Sequence, residues 1–166
     1  NLSYLSLSGE IQEQMELPSD LHKNSIRHIA VRSDGTVGFA MQWQGDLGAD
    51  VPIVGLHHPG DAPRLMAADD PRLRNLNGYG GSIAFSGDET QIAVTSPRGG
   101  VVQVMDCASG ALLAEHALLD VCGLATLREG FLASTGTGAV ARIGTEVEHL
   151  ATAPLAWDNH LIPLTT

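Results

Sequence analysis

The sequence predicts an all-β protein, a β-propeller built from about three and a half four-stranded antiparallel blades. Three observations lead to this prediction. Apolar and polar residues alternate over short segments, as in half-buried strands, and long helical periodicity is nearly absent. Turn residues punctuate the chain, with 19 glycines and 8 prolines among 166 residues. One strand–turn–strand pattern occurs three times, which is typical of repeat architectures.

The three repeats are clearest when their first strands are aligned. They read SIRHIAVRSDGTVGFAMQW, GGSIAFSGDETQIAVTSPRGG and VCGLATLREGFLASTGTG. The alignment places Ile29, Ile83 and Leu124 at one position, each followed by alanine. The repeat interval is roughly 40 to 54 residues, and propeller blades fall at the lower end of that range.

A second hairpin follows each repeat, so each unit supplies the four strands of one blade. We therefore predict one partial propeller domain over residues 1–166, about half of a seven-bladed propeller. It consists of a half blade over 1–20, blades over 25–70, 79–119 and 120–154, and the opening strand of a closing blade over 157–164.

A partial propeller leaves strand edges unpaired, and such edges favour association. Three arrangements would satisfy them: a fragment of a larger propeller, two copies closing a seven-bladed ring about a two-fold axis, or terminal strands joining within one chain to give four blades. We favour a larger natural propeller as the source. We also expect this chain to self-associate through its open blade edges.

Composition argues against two classes of partner. With 9 basic and 19 acidic residues the net charge is -10, which repels nucleic acid and anionic lipid. No apolar run approaches the roughly 18 residues of a membrane span.

Cys107 and Cys122 are predicted at opposite ends of their strands, about 20 Å apart. Because a bridge tolerates Cα separations of only about 4.4 to 6.8 Å, we predict no intramolecular disulfide.

Propeller geometry predicts one candidate site. The residues before each innermost strand, and the loops joining second and third strands, should open on the same rim of the central channel. This rim collects side chains that are far apart in sequence. The candidate ligand-binding residues are Arg27, His28, Trp43, Tyr79, Arg98, Asp120, Cys122, Trp157, Asp158, Asn159 and His160.

Imidazole, thiolate and carboxylate groups ligate transition metals, so the rim also predicts a metal site. The candidate ligands are His28, Asp120, Cys122 and His160, with iron or another transition metal as the candidate cofactor. Each residue also has a structural interpretation. Loop His and Asp side chains cap backbone groups, a Cys beside Gly packs as a small apolar residue, and Trp packs in cores. The pair His57–His58 is predicted in a solvated turn on the opposite rim.

The segments SIRHIAVRSDGTVGFAMQWQGD, GGSIAFSGDETQIAVTSPRGG, DVCGLA and WDNHL resemble the C-terminal half of a bacterial family of unknown function, numbered 1513. The resemblance covers nearly the whole chain. It implies a seven-bladed periplasmic propeller, exported by the twin-arginine route and encoded beside imelysin-like proteins, with a role in iron acquisition. It supplies no catalytic residues, and the family's N-terminal half, with any export signal, has no counterpart here.

The sequence thus favours a non-enzymatic periplasmic propeller that binds a partner protein or a metal-linked ligand at the rim, with periplasmic iron-uptake proteins as expected partners. One alternative is an enzyme with hydrolytic or redox chemistry at the same rim. Another is an interaction scaffold with an inert rim. The chain carries no nucleophile-elbow, HExxH or Walker motif, which counts against the enzyme.

Overall fold

The structure is a computed structural model that describes residues 1–162. Its strands form one two-stranded and three four-stranded sheets, all antiparallel and each running in chain order. This arrangement confirms the predicted all-β fold of about three and a half blades. No helix in the described part of the chain is long and apolar enough to cross a membrane.

The half blade contains β1 (Leu2–Leu5) and β2 (Ile11–Met15). Blade 1 contains β3 (Asn24–Val31), β4 (Val37–Trp43), β5 (Val54–His57) and β6 (Arg64–Leu65). Blade 2 contains β7 (Ser82–Phe85), β8 (Gln91–Ser96), β9 (Val101–Asp106) and β10 (Leu112–Ala117). Blade 3 contains β11 (Val121–Thr126), β12 (Phe131–Thr135), β13 (Ala139–Ile143) and β14 (Val147–Thr152). Short 3-10 helices span Ser19–Leu21 and Pro71–Leu76.

The blades pack face to face, and the core lies between them. Blade 1 packs against blade 2 through a cluster that includes Ala40, Val54, Phe85 and Ile92. Blade 2 packs against blade 3 through a second cluster, which includes Val102, Val104, Leu124, Phe131 and Ile143. Alternation along each strand sends one set of side chains backward to the preceding blade and the other set forward to the next.

The turns that close the first hairpins need a left-handed residue. Gly35 (φ 88°) and Gly130 (φ 75°) supply it in blades 1 and 3, whereas blade 2 has Glu89 at φ 61°. The Glu89 carboxylate accepts hydrogen bonds from the backbone N–H of Ser33, at 2.8 Å, and from its hydroxyl, at 2.5 Å. This strained residue therefore ties the turn of blade 2 to the turn of blade 1.

The structure differs from the sequence prediction at the opening strand that was expected over residues 157–164. Residues 157–162 form no strand, and 163–164 lie outside the described residues. A strand is defined by its hydrogen-bonded partner, and no strand among residues 1–162 pairs with this segment. The segment lies instead beside β11, as described below.

His57 corrects a second expectation, because it is buried and not part of a solvated turn. Its Nε2 lies 2.9 Å from the carbonyl oxygen of Asp61, which only accepts, so Nε2 carries the hydrogen. Its Nδ1 then accepts from the Tyr4 hydroxyl at 2.7 Å. Both oxygens of the Glu13 carboxylate accept from the backbone N–H of Gly60. These contacts hold the half blade against blade 1. The neighbouring His58, in contrast, lies on the surface.

We expect Tyr4→Phe to lower the free energy of unfolding by about 1 kcal/mol, because it leaves the buried His57 Nδ1 without a donor. Chemical denaturation measures the change. Leu7→Ala is the control, since Leu7 projects fully into solvent from the adjacent turn. Equal stability of Tyr4→Phe and the unaltered chain would show that this hydrogen bond does not hold the half blade.

Candidate functional site

The rim is the end of the sheets at which β3, β7 and β11 begin. Between blades 1 and 2 it carries Trp43, Tyr79 and Arg98. The backbone N–H of Trp43 donates to the carbonyl oxygen of Gly78 at 2.9 Å, and Tyr79 forms an antiparallel β-bridge with Gln42. The Arg98 guanidinium carbon lies 4.8 Å from the centroid of the Tyr79 ring, which is a cation–π contact. The predicted register thus brings these three residues together on one part of the rim.

Asp120 lies on the blade 3 part of the rim and has a structural role there. It adopts φ 54°, and its carbonyl oxygen accepts the backbone N–H of Gly136 at 3.0 Å. Its carboxylate occupies the space where a Cβ on Gly136 would project. Asp120 is thereby held against the turn between β12 and β13.

Cys122 is buried, and its thiol is occupied by backbone acceptors. The Sγ lies 3.2 Å from the carbonyl oxygen of Trp157 and 3.5 Å from that of Ser134. Burial raises the pKa of this thiol, which favours the protonated form. Cys107 is also buried, and both cysteines are free thiols.

Residues 157–162, hereafter the terminal segment, lie beside β11. The Trp157 indole N–H donates to the carbonyl oxygen of Gly138 at 3.2 Å. A Cβ placed on Gly123 would approach the Ser134 hydroxyl oxygen to 2.5 Å, and the Asp158 carbonyl oxygen and the Leu161 side chain to 3.0 Å each. The absence of a side chain at Gly123 therefore lets the segment approach the strand. Asp158 itself accepts the backbone N–H of Asn159 at 2.7 Å, so its carboxylate serves a local turn.

The terminal segment carries His160 to His28, which lies 132 positions earlier in the sequence. The two ring centroids are 5.5 Å apart and the rings are tilted by 54°. The side-chain nitrogen of Asn159 lies 3.5 Å from His28 Nε2. Burial is the largest cause that lowers the pKa of His28, followed by His160 and Arg27. His28 therefore favours its neutral form, in which one ring nitrogen keeps a lone pair.

The sequence predicted His28 in the loop before the first strand of blade 1. In the structure His28 lies within β3. β3 begins at Asn24, which pairs with Trp43, so the hairpin is longer than predicted. The register shifts between Ile26 and His28, leaving Arg27 as the extra residue of a bulge. Such bulges re-aim side chains, and Arg27 is exposed here while His28 is half-buried.

The four predicted metal ligands do not form one group. Within residues 1–162 no cluster of three or more His, Cys, Asp or Glu could hold a metal ion. His28 and His160 meet, whereas the Cys122 thiol is bound by backbone carbonyls and the Asp120 carboxylate lies against Gly136. Asp120 and Cys122 therefore have the structural roles described above. Of the four residues, only His28 and His160 lie close to each other.

The sequence did not point to a groove that runs along the inner strands of all three blades. It has a volume of ≈ 260 Å³, and its lining includes Val31, Phe85, Glu89, Thr126 and Leu161. Ser134 and Gly138, which hold Cys122 and Trp157, were missed as well. Both act through backbone carbonyl oxygens, and backbone contacts leave no signal in residue types.

A family model described as "Protein of unknown function (DUF1513)" matches residues 1–164. The chain belongs to this family. The match confirms the resemblance inferred from the repeated segments and the closing pentapeptide. No curated protein matches this DUF1513 chain.

Solved structures similar to this DUF1513 chain support the propeller fold. A gluconolactonase from Xanthomonas campestris superposes with a TM-score of 0.65 at 20% identity, over 95% of this chain and 57% of its own. A chain of a nidogen/laminin complex superposes at 0.60 and 15% identity, over 83% and 52%. A chain of a mitotic checkpoint complex superposes at 0.59 and 17% identity, over 96% and 49%. The DUF1513 chain therefore spans about half the length of the structures it matches.

We expect Gly123→Val to displace the terminal segment, because its side chain would collide with Asp158 and Leu161 on one side and with the Ser134 hydroxyl on the other. In a Trp43→Phe background, Trp157 is the remaining tryptophan, and its fluorescence emission should shift to the red as it becomes exposed. Gly144→Val is the matched control, since a Cβ there meets no atom within 4 Å. Identical spectra for the two variants would contradict the placement of the segment on β11.

The Cys122 thiol provides an independent measure of the same displacement. In the unaltered chain we expect slow alkylation of both cysteines at neutral pH, because both are buried and burial raises the pKa of each thiol. In Gly123→Val, Cys122 should react several-fold faster and Cys107 at an unchanged rate. Peptide mapping after a timed pulse of iodoacetamide separates the two sites. Parallel changes at both would indicate general unfolding and not release of the segment.

Proposed function

We propose that this chain is the ligand-binding half of a non-enzymatic periplasmic β-propeller. Its rim would bind a partner protein or small ligand through a transition-metal ion that His28 and His160 coordinate. The proposal rests on the proximity of these two imidazoles, whose ring centroids are 5.5 Å apart. One ring comes from β3 and the other from the terminal segment, so the two are far apart in the sequence.

The state of the histidines supports metal binding. A metal ion needs a neutral imidazole, and burial favours that form of His28. Imidazole suits Zn²⁺, Cu²⁺, Ni²⁺ and iron. Two protein ligands leave coordination positions open, so donors of a bound ligand would complete the shell. This is why the proposal is a metal-linked ligand and not a closed structural metal site.

Charge supports a cationic occupant as well. The chain carries a net charge of -10, which raises the local concentration of metal cations and disfavours polyanions. The Trp43, Tyr79 and Arg98 group on the same rim offers two aromatic faces and one guanidinium, which are residue types favoured in binding surfaces. It would contact the remainder of the ligand or the partner.

The rim residues that an enzyme would use have other partners. The Cys122 thiol donates to backbone carbonyl oxygens, and its raised pKa disfavours the nucleophilic thiolate. The Asp120 carboxylate lies against the turn at Gly136. These contacts favour binding over catalysis in the proposal.

The periplasmic location and the link to iron acquisition rest on the family resemblance alone. Their test is cell fractionation of the natural, full-length gene product, with growth of a deletion strain under iron limitation. Recovery of the protein in the cytoplasmic fraction would overturn the location, and unimpaired growth would overturn the role in iron uptake.

The metal proposal predicts that Zn²⁺ or Ni²⁺ raises the thermal stability of this chain, because a ligand that binds only the native state stabilises it. At a free metal concentration of 100 times Kd the gain is about 2.7 kcal/mol. We expect His28→Ala and His160→Ala each to remove the gain, because two-point coordination needs both rings. Scanning calorimetry measures the midpoint, and isothermal titration should give one ion per chain.

His58→Ala is the matched control, since His58 is an exposed histidine at the opposite end of blade 1. It should retain the full metal-dependent stabilisation. A gain that survives in both rim variants, or that disappears in His58→Ala, would place the metal elsewhere and overturn the proposal.

A further inference from the structure

Most arginines of this chain have a partner within the protein. Four of them form ion pairs with carboxylates, namely Arg32 with Asp34, Arg72 with Asp70, Arg74 with Asp50 and Arg142 with Glu148. The guanidinium of Arg64 donates to two backbone carbonyl oxygens in the turn between β9 and β10. Within residues 1–162, Arg27, Arg98 and Arg128 form no ion pair with a carboxylate.

These three arginines do not lack an ion pair because carboxylates are scarce. The chain has 19 acidic residues against 9 basic ones, so the sequence offers more than one carboxylate for each cation. Arg27 and Arg98 lie on the rim, whereas Arg128 lies in the turn between β11 and β12, at the opposite end of blade 3. The rim therefore carries two guanidiniums with no carboxylate bound to them.

The carboxylates of the same rim interact with backbone groups. Asp46 accepts the backbone N–H of Gly48 at 2.9 Å, and Asp158 accepts that of Asn159 at 2.7 Å. The Asp120 carboxylate lies against the turn between β12 and β13. These groups thus stabilise local turns, and the two rim arginines are left to bind an anion from outside the chain.

Arg27 is adjacent to the histidine pair because of the bulge in β3. As the extra residue of the bulge it directly precedes His28, and it is exposed while His28 is half-buried. Burial and the His160 ring are the larger causes that lower the pKa of His28, and the positive charge of Arg27 lowers it further. The Arg27 charge therefore acts on the place where the two imidazoles meet.

Arg98 lies on the neighbouring part of the rim. Ser25 of β3 pairs with Gln42 of β4, and Gln42 forms the bridge to Tyr79. At about 4.8 Å per strand, the Tyr79 backbone is about 10 Å from β3. The Tyr79 ring positions the Arg98 guanidinium, 4.8 Å away, without a carboxylate, so its N–H donors remain available to a ligand. Both rim arginines have side chains long enough to reach one small ligand.

We propose that the ligand of this rim is an anionic metal chelate, a small molecule with several carboxylate groups. Its metal ion binds the histidine pair, and its carboxylate oxygens bind Arg27 and Arg98. The inference rests on the metal site proposed above and names the class of ligand that the site takes. Guanidinium groups bind carboxylates through paired N–H donors. The metal offsets most of the charge of the chelator, so the net charge of -10 opposes the complex far less than the free chelator.

The probe is Ni²⁺–nitrilotriacetate, in which the chelator leaves two coordination positions of the metal open for imidazoles. Isothermal titration of the unaltered chain should give one chelate per chain. Arg27→Gln and Arg98→Gln should each weaken binding about three- to tenfold, because each loses a charge-assisted hydrogen bond at an exposed position. Arg128→Gln is the matched control, since it removes the same charge from the opposite end of the blades and should leave the affinity unchanged.

Titration with aqua Ni²⁺ separates this inference from the metal site itself. Neither rim variant should weaken the binding of aqua Ni²⁺, because removing a nearby positive charge does not repel a cation. Binding of aqua Ni²⁺ with a chelate affinity that neither rim variant lowers would overturn the anionic ligand and leave the metal site in place. An equal loss of chelate affinity in Arg128→Gln would indicate a general charge effect and would also overturn it. Failure of aqua Ni²⁺ and the chelate to bind at all would overturn the metal site and the anionic ligand together.

Discussion

Face-to-face packing between blades is the constraint on which this structure depends. A four-stranded sheet has two faces, and in blade 2 both are apolar: Phe85 and Ile92 on one, Val102 and Val104 on the other. Exposing either apolar face to water is unfavourable, so blade 2 is stable only when a neighbouring blade covers each face. The half blade satisfies part of the same demand for blade 1 through Met15, Leu2 and Leu17. The hydrogen bond between Tyr4 and His57 adds a polar contact between the two sheets.

The candidate site follows from this packing. Radial stacking places the starts of β3, β7 and β11 side by side, so residues far apart in sequence meet at the rim. Gly123 then decides how the terminal segment lies, because its missing side chain lets Leu161 and Asp158 approach β11. That approach is what carries His160 to His28. The histidine pair is therefore a product of repeat geometry combined with one close backbone contact.

The parts of the structure that sequence reasoning predicted are those with a local or repeated signal. Period-two alternation and glycine turns predicted the strands, and the alignment of Ile29, Ile83 and Leu124 predicted their common register. The burial of His57 was not predictable, because it depends on Tyr4 arriving from another sheet. The carbonyl partners of the Cys122 thiol were equally hidden, since the backbone of Trp157 looks like any other backbone in the sequence. Repetition predicts which positions converge, and only tertiary contacts determine what each side chain does there.

The most direct test of the convergence of His28 and His160 is electron paramagnetic resonance of bound Cu²⁺, which reports the nitrogen atoms in the first coordination shell. One equivalent of Cu²⁺ should show coupling to two imidazole nitrogens in the unaltered chain, and this two-nitrogen coupling should be lost in His160→Ala. Coupling to a single imidazole in the unaltered chain, or an unchanged spectrum in His160→Ala, would contradict the meeting of the two histidines at the rim.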